Sequence, residues 1–393
     1  MQRYPRTDLA CQTADLVEGR GLFDEGRDGV FLAAPRRTGK STFLRHDLAP
    51  ELIERGHEVV YVDLWSDRSR DPAELIDEAI GRAIEKRLGF VAKATKAAGV
   101  EALDIAGVMK IDTSKIGEHD GATLTEALRA LRGVSDGAVV LMVDEAQHAL
   151  VTPRGENTMI ALKSARDTLN SPDESDLLLV MTGSDRDKLL RLVNTHASPF
   201  LGSTIRDLPR LGDGFVRFVV DHIERRRPDL APVDVAALAL AFGQLGHRPQ
   251  IFERAIVDAL NPLAPMSGRF EGRVLEIAGE RRAREYDALR ANLTALKPLE
   301  RALIWRMLDT GARYRPFDAD SLAFYRNALD ESGEGSVKVT RSSVQKALEA
   351  LRRHEPPLVW KSARGEYAID DVLMHSWHES LVEVDDWPPI RAT

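Results

Sequence analysis

Apolar residues along this chain fall into two regimes. Up to about residue 212, short continuous apolar runs alternate with stretches of helical spacing. Beyond Asp213 the runs cease. The runs are Val30 to Ala33, Glu58 to Leu64, Ala138 to Val143 and Leu177 to Met181. A strand that is apolar at successive positions is buried on both faces, as in a parallel sheet covered by helices. Between them the spacing predicts helices from Lys40 to about Glu54, from Asp71-Pro72 to near Gly89, from Thr123 to Leu131 and from Thr158 to Leu169. The second of these carries Leu75, Ile76, Ala79, Ile80 and Ile84 on one face. Strands alternating with helices predict a doubly wound α/β fold, a parallel sheet with helices on both faces. Residues 1 to 29 show no repeated pattern and are expected to form a short lead-in against the pocket derived below. The stretch Phe90 to Asp120 carries mixed signals.

The second regime is helical. Phe215 to Arg226, Val233 to Phe242, Pro249 to Leu260 and Phe270 to Leu293 all have helical spacing, which predicts an all-helical unit over residues 213–294. Leu299 to Leu308, Ser321 to Leu329 and Thr340 to Leu351 predict three more helices, and Leu358 to Ile369 reads as a hairpin with a glycine-containing turn. Three helices and a hairpin make a winged helix over residues 295–393, ending in an acidic tail. The expected domains are therefore 1–212, 213–294 and 295–393.

Chemistry concentrates where the first apolar run ends. Ala34-Pro35-Arg36-Arg37-Thr38-Gly39-Lys40-Ser41-Thr42 joins a buried strand to a helix and closes on Gly-Lys-Ser-Thr. Such a loop wraps backbone N–H groups around an anion at a helix N-terminus, where unpaired donors and the helix dipole favour negative charge. Gly39 allows close backbone approach, Lys40 reaches the β and γ phosphates, and the Ser41 hydroxyl holds Mg²⁺. The pattern's first glycine is replaced by Ala34, whose methyl group narrows the backbone angles open to the turn.

A second decisive element is the run ending Val143-Asp144-Glu145, two carboxylates at a strand's C-terminal end, the edge where open α/β sheets bind ligands. Asp144 is expected to orient Mg²⁺, and Glu145 to polarise the water that attacks a γ-phosphate. A further run ends Thr182-Gly183-Ser184. There Thr182 or Ser184 either hydrogen-bonds the γ-phosphate or its water, or caps the next helix. In the helical half, Gly246-His247-Arg248-Pro249 sets an arginine at a helix start, within reach of a nucleotide or on the surface.

The composition admits this picture. The chain has 393 residues, 43% hydrophobic and 30% charged, as expected of a soluble protein with more than one core. Its net charge of −8 restricts any nucleic-acid contact to a local patch. One patch exists: between Lys338 and Tyr367 seven Lys or Arg stand against three Glu. Phosphate contacts are expected there from Arg341, Lys346, Arg352, Lys361 and Arg364, with protein interaction as the alternative use of the same wing. A single cysteine, Cys11, and no run long enough to span a membrane suit a cytoplasmic protein. His375 and His378 are three apart without a third ligand, and a metal site is not expected from them.

Taken in order, the loop, acidic strand, polar strand end, helical unit and winged helix resemble the P-loop ATPases of the AAA+ and STAND group. The likeness is closest to the "archaeal-type" ATPases, whose loop often reads Gly-Pro-Arg-Arg-x-Gly-Lys-[Ser/Thr]. Val143-Asp144-Glu145-Ala146 is similar to the Walker B strand of that family, Thr182-Gly183-Ser184 to its sensor-1 segment, and Gly246-His247-Arg248-Pro249 to its sensor-2 segment. Glu366 to Asp371 with Trp377 resembles its wing and tail. The resemblance implies a P-loop NTPase core, a helical lid and a winged helix. It implies ATP and Mg²⁺ as ligands, with Ala34 to Thr42, Arg248 and Pro249 around the nucleotide. Lys40, Glu145, Thr182 and Ser184 would be catalytic, and Ser41 and Asp144 would hold the metal. It further implies coupling of hydrolysis to double-stranded DNA, to a protein partner or to a second copy, a slow signalling switch being the alternative. One departure stands out: where the family often has arginine after sensor 1, the segment Ser198-Pro199-Phe200-Leu201-Gly202-Ser203 ends in serine, leaving Arg206 or Arg186 to substitute.

Overall fold

The structure, a computed structural model, describes residues 3–21, 26–98, 112–118, 120–171, 173–194, 198–261, 268–331, 333, 337–383 and 387–388; the side chains of 91–98 and 372 lie outside the description. By its internal contacts the chain divides into two compact units. One comprises Pro5–Ala34 and Lys40–Leu208, the other Met1–Tyr4, Pro35–Gly39 and Pro209–Thr393.

In the first unit the apolar runs become β1 (Val30–Ala33), β2 (Glu58–Asp63), β3 (Val139–Asp144) and β4 (Leu177–Gly183). A short β5 (Ile205–Asp207) joins them, and the five form one parallel sheet in the order β2-β3-β4-β1-β5. Every residue of β1, β3 and β4 is buried. β2, at the sheet edge, alternates buried and half-buried positions. The sequence did not mark β5, because three residues with only Ile205 buried leave no periodicity to read.

Helices cover both faces. The segment after the loop is helical from α2 (Lys40–Phe43) through a π-helical turn at Leu44–Leu48 into α3 (Ala49–Glu54). Against it packs α1 (Thr7–Val17), so the expected patternless lead-in is corrected to an amphipathic helix. Ala10, Ala14 and Val17 of α1 share a core with Leu44, Leu48, Leu52 and the sheet residues Val30, Val140 and Val180. The helical signal was muted because small alanines and Thr13 make up most of its buried stripe. On the sheet, α4 (Pro72–Ala98) lies against β2, α5 (Leu124–Gly133) against β3 and α6 (Pro153–Leu169) against β4. α4 runs past Gly89, the expected stop. A helical glycine costs only about 1 kcal/mol against alanine, and a Cβ at Gly89 would meet nothing within 4 Å. Of the mixed stretch Phe90 to Asp120, residues 99–111 and 119 lie outside the described residues. α5 starts as the sequence indicates: Thr123 and Glu126 form a capping box. A five-residue α7 (Arg186–Leu190) follows β4, capped by Asp185.

The second unit is mostly helical and holds two hydrophobic cores. α8 (Asp213–Arg226), α9 (Val235–Gln244), α10 (Pro249–Ala259) and the first half of α11 (Phe270–Ala295) enclose Phe215, Phe242, Phe252 and Val274. The second core holds Leu289 and Leu293 of α11 with α12 (Pro298–Thr310), α13 (Ala319–Glu331), α14 (Arg341–Arg353) and the antiparallel pair β6 (Val359–Lys361) and β7 (Tyr367–Ile369). At 26 residues α11 spans about 39 Å, enough to serve both cores. The acidic tail contains a helix the sequence reading omitted, α15 (Val372–Glu383), anchored by buried Met374 and Trp377.

The packing of α1 depends on fully buried Leu48. Leu48→Ala is expected to cost about 3 kcal/mol of stability, read as a lower urea midpoint with an unchanged denaturant slope.

Candidate functional site

Parallel pairing brings the ends of the strands to one edge. Asp63 lies opposite Asp144, and Ala33 lies between Gly183 and Asp207. The chain after β1, the carboxylates after β3 and the hydroxyls after β4 therefore arrive together, although Ser41 and Asp144 are 103 residues apart and Asp144 and Thr182 are 38 apart.

The loop takes a left-handed backbone at Arg37 (φ 66°) and Gly39 (φ 96°), but not at Ala34. Ala34 instead donates its N–H to the Gly183 carbonyl at 3.0 Å, and Thr38 Oγ1 donates to the Pro35 carbonyl at 2.7 Å. The alanine in place of the pattern's first glycine is thus accommodated without backbone strain. The left-handed conformation falls on Arg37, where it costs about 1 kcal/mol.

Lys40 opens α2 and is only 5% exposed. Its ammonium hydrogen-bonds Glu145 and lies 3.1 Å from Asp144 Oδ1. Ser41 Oγ donates to Asp144 Oδ2 at 2.5 Å. Asp144 is fully buried and also accepts from Thr182 Oγ1 on Oδ1 and from the Tyr61 hydroxyl on Oδ2, the latter at 3.0 Å. Glu145 adopts a left-handed backbone (φ 57°, ψ 42°). Its Oε2 accepts from Gln147 Nε2 at 2.6 Å and Ser184 Oγ at 2.7 Å. A Cβ at Gly183 would stand 2.8 Å from Gln147 Oε1 and 3.3 Å from Leu189 Cβ, so a larger residue there obliges the Gln147 side chain to shift.

Charge follows from these contacts. Burial pushes the Glu145 carboxyl up, but the Lys40 ammonium and the Ser184 and Gln147 donors outweigh it and hold the group well below the usual carboxylate range. Burial and the neighbouring Asp144 carboxylate push the Tyr61 phenol far above its ordinary value, so it remains a donor. Burial, then Asp144 and Glu145, raise Asp63, against the Trp65 backbone N–H.

Of the residues singled out from sequence, Lys40, Ser41, Asp144, Glu145, Thr182 and Ser184 meet in this cluster. Neither hydroxyl after β4 stands apart from the carboxylates: Thr182 is spent on Asp144 and Ser184 on Glu145. Thr42 is exposed. Pro35, Arg36 and Arg37 line a cavity of about 500 Å³ together with Arg210, Arg248 and Arg282, and with the acids Glu285, Asp371 and Glu379. Arg248, at the N-cap of α10, donates to Glu285 at 2.7 Å and to the Leu245 carbonyl at 2.7 Å; Pro249 opens that helix. Sequence reasoning missed Tyr61, Gln147 and Glu285. A tyrosine inside an apolar strand looks like core, and only the β2-β3 register directs it to Asp144.

Elsewhere, Arg341, Lys346 and Arg364 are exposed, whereas Arg352 and Lys361 pair with Glu349 at 2.8 and 3.4 Å, which offsets part of the local positive balance. Arg186 is held by Asp207 at 2.7 Å, and Ser203 donates to the Asp28 carbonyl. His378 lies 3.5 Å from Asp309 and 4.4 Å from the Trp387 ring. Among the described residues no three His, Cys, Asp or Glu side chains form a metal-ligand group, and no helix is long and apolar enough to cross a membrane.

Residues 24–190 match the family model of an AAA domain. No curated protein matches the chain. Among solved structures it is similar to the Walker-type ATPase of Pyrococcus abyssi, with 19% identity over 96% of this chain and 99% of that one and a TM-score of 0.52. It is also similar to the ADP form of the ORC2 protein of Aeropyrum pernix, with 15% identity over 98% and 93% and a TM-score of 0.51. The chain carries an AAA+-type P-loop fold.

Lys40 is the cation that compensates two buried acids. Lys40→Met is expected to destabilise the protein by about 3 to 5 kcal/mol at pH 8. In the wild type the depressed Glu145 group stabilises the fold above the unfolded carboxylate pKa of about 4.3 and loses that contribution only as pH falls through its lower folded value. In the variant, burial without the cation raises the group, and protonation relieves it. Urea midpoints of the two proteins should therefore converge as pH is lowered from 8 to 4.5.

Proposed function

We propose that this chain, built on its AAA-type P-loop domain, binds Mg-ATP and hydrolyses it. The observation that carries the reading is the meeting of Lys40 with Asp144 and Glu145, and of Ser41 Oγ with Asp144 at 2.5 Å, beside a loop whose backbone curls through Arg37 and Gly39. A hydroxyl and a carboxylate together are the oxygen donors that Mg²⁺ prefers, so Ser41 and Asp144 would hold the ion. When bound, the ion neutralises charge on the β and γ phosphates. The loop from Ala34 to Thr42 surrounds the phosphates and offers backbone N–H groups from Arg36 onward, since Pro35 has none and the Ala34 N–H is given to the Gly183 carbonyl. Lys40 exchanges Glu145 for the γ-phosphate. Glu145, so released, accepts the proton of the attacking water, with Gln147 and Ser184 fixing its orientation. Thr182 acts on Asp144, and Arg248 and Pro249 are assigned to nucleotide binding by the sensor-2 likeness of Gly246 to Pro249.

In this reading residues 1–212 are the ATPase core, 213–294 the lid and 295–393 a winged helix that presents differently in the ATP and ADP states. The exposed Arg341, Lys346 and Arg364, with Arg352 and Lys361 beside them, favour double-stranded DNA as its partner. A second reading has support of its own. Glu145 is held by donors from three residues, serine stands at the expected arginine position, and Arg186 is tied to Asp207. These features suit a slow switch that acts through protein contacts, a second copy included.

Steady-state phosphate release decides between the two. For the enzyme, Glu145→Gln is expected to lower kcat by about 10² to 10⁴-fold while ATP still binds. Equal silence of wild type and variant, with binding retained, supports the switch. For the DNA partner, replacing Arg341 and Lys346 by alanine is expected to weaken duplex binding and to make the plot of log affinity against log salt shallower by about two units. No duplex affinity at low salt removes DNA as the partner.

A further inference from the structure

Asp144 receives more donors than a magnesium-binding carboxylate requires, and one comes from a strand that the nucleotide chemistry does not otherwise use. Oδ2, the oxygen that meets Ser41, also accepts from the Tyr61 hydroxyl at 3.0 Å. Oδ1 is occupied by Thr182, by the Glu145 N–H at 3.1 Å and by Lys40. With the carboxylate fully buried, no water can replace a missing donor at low cost. Tyr61 reaches it from β2, where it lies opposite Met142, two residues before the Asp63–Asp144 pair. The Arg45 guanidinium stands over its ring, 5.7 Å from the ring centroid.

We infer that Tyr61 is a positioning residue for magnesium: its hydroxyl fixes the orientation of the Asp144 carboxylate and so sets how tightly the Ser41–Asp144 pair takes the ion. The inference rests on the Mg-ATP reading above. Partners that orient a metal-binding carboxylate typically change metal affinity by about 10- to 100-fold when removed. Tyr61→Phe keeps the ring and its contact with Arg45 and deletes only the donor.

The test measures binding of a fluorescent, non-hydrolysable ATP analogue with Mg²⁺ and with EDTA, for wild type, Tyr61→Phe and Lys40→Ala. Wild type is expected to bind more tightly with Mg²⁺. Tyr61→Phe should lose about tenfold of affinity in the Mg²⁺ arm, match wild type in EDTA, and need about tenfold more Mg²⁺ to reach half of its gain. A merely structural role would lower Tm and weaken both arms equally, which overturns the inference, as does an unchanged Mg²⁺ gain. Should Tyr61→Phe unfold in buffer, the same two arms are measured for it and for wild type in a stabilising osmolyte, which restores the fold without restoring the donor. Failure of the underlying reading looks different: wild type then shows no nucleotide binding, or binding that Lys40→Ala leaves intact, before any Tyr61 variant is compared.

Discussion

An ammonium buried between two carboxylates is the constraint around which this fold is arranged. Removing an isolated ion from water costs several kcal/mol even after relaxation, and mutual attraction offsets that only with good geometry and satisfied hydrogen bonds. The cluster meets both conditions. Lys40 faces Glu145 and Asp144, and Thr182, Ser184, Ser41, Tyr61 and Gln147 supply the remaining donors. A cation so enclosed by acids is held in place.

That enclosure depends on the sheet. With β1 between β4 and β5, and β3 between β2 and β4, the start of α2 and the two polar strand ends reach one edge of the sheet. Backbone strain falls on non-glycine residues of these same segments: Arg37, three residues before Lys40, and Glu145 both hold left-handed backbone. Strain of this kind persists only where surrounding contacts over-determine it. Ala34 shows how the loop tolerates an alanine in its pattern, because the unusual angles sit three and five residues later.

The second unit follows a different logic. Two separate cores share the single helix α11, and the unit's cavity sets Arg36, Arg37, Arg210, Arg248 and Arg282 against Glu285, Asp371 and Glu379. Cations outnumber acids there, whereas the chain as a whole carries −8. A locally positive, partly enclosed surface attracts anions more strongly than net charge alone suggests.

The sequence by itself determined the sheet-and-helix alternation, the loop, and the acids at the end of β3. Short continuous apolar runs at Val139 to Val143 and Leu177 to Met181 read as strands buried on both faces, and the loop's chemistry is confined to nine consecutive residues. It did not reveal α1, whose buried stripe is mostly alanine and threonine, or β5, which is too short to show a period. Nor did it reveal that Tyr61 and Gln147 complete the cluster or that Glu285 holds Arg248. Those partners lie in other segments, and their meeting depends on strand register and helix packing. Local pattern records which face of a segment is apolar, because burial acts on each residue through its own environment. Only the tertiary structure decides which polar tips share an oxygen, since that depends on distances between segments that no spacing along the chain encodes.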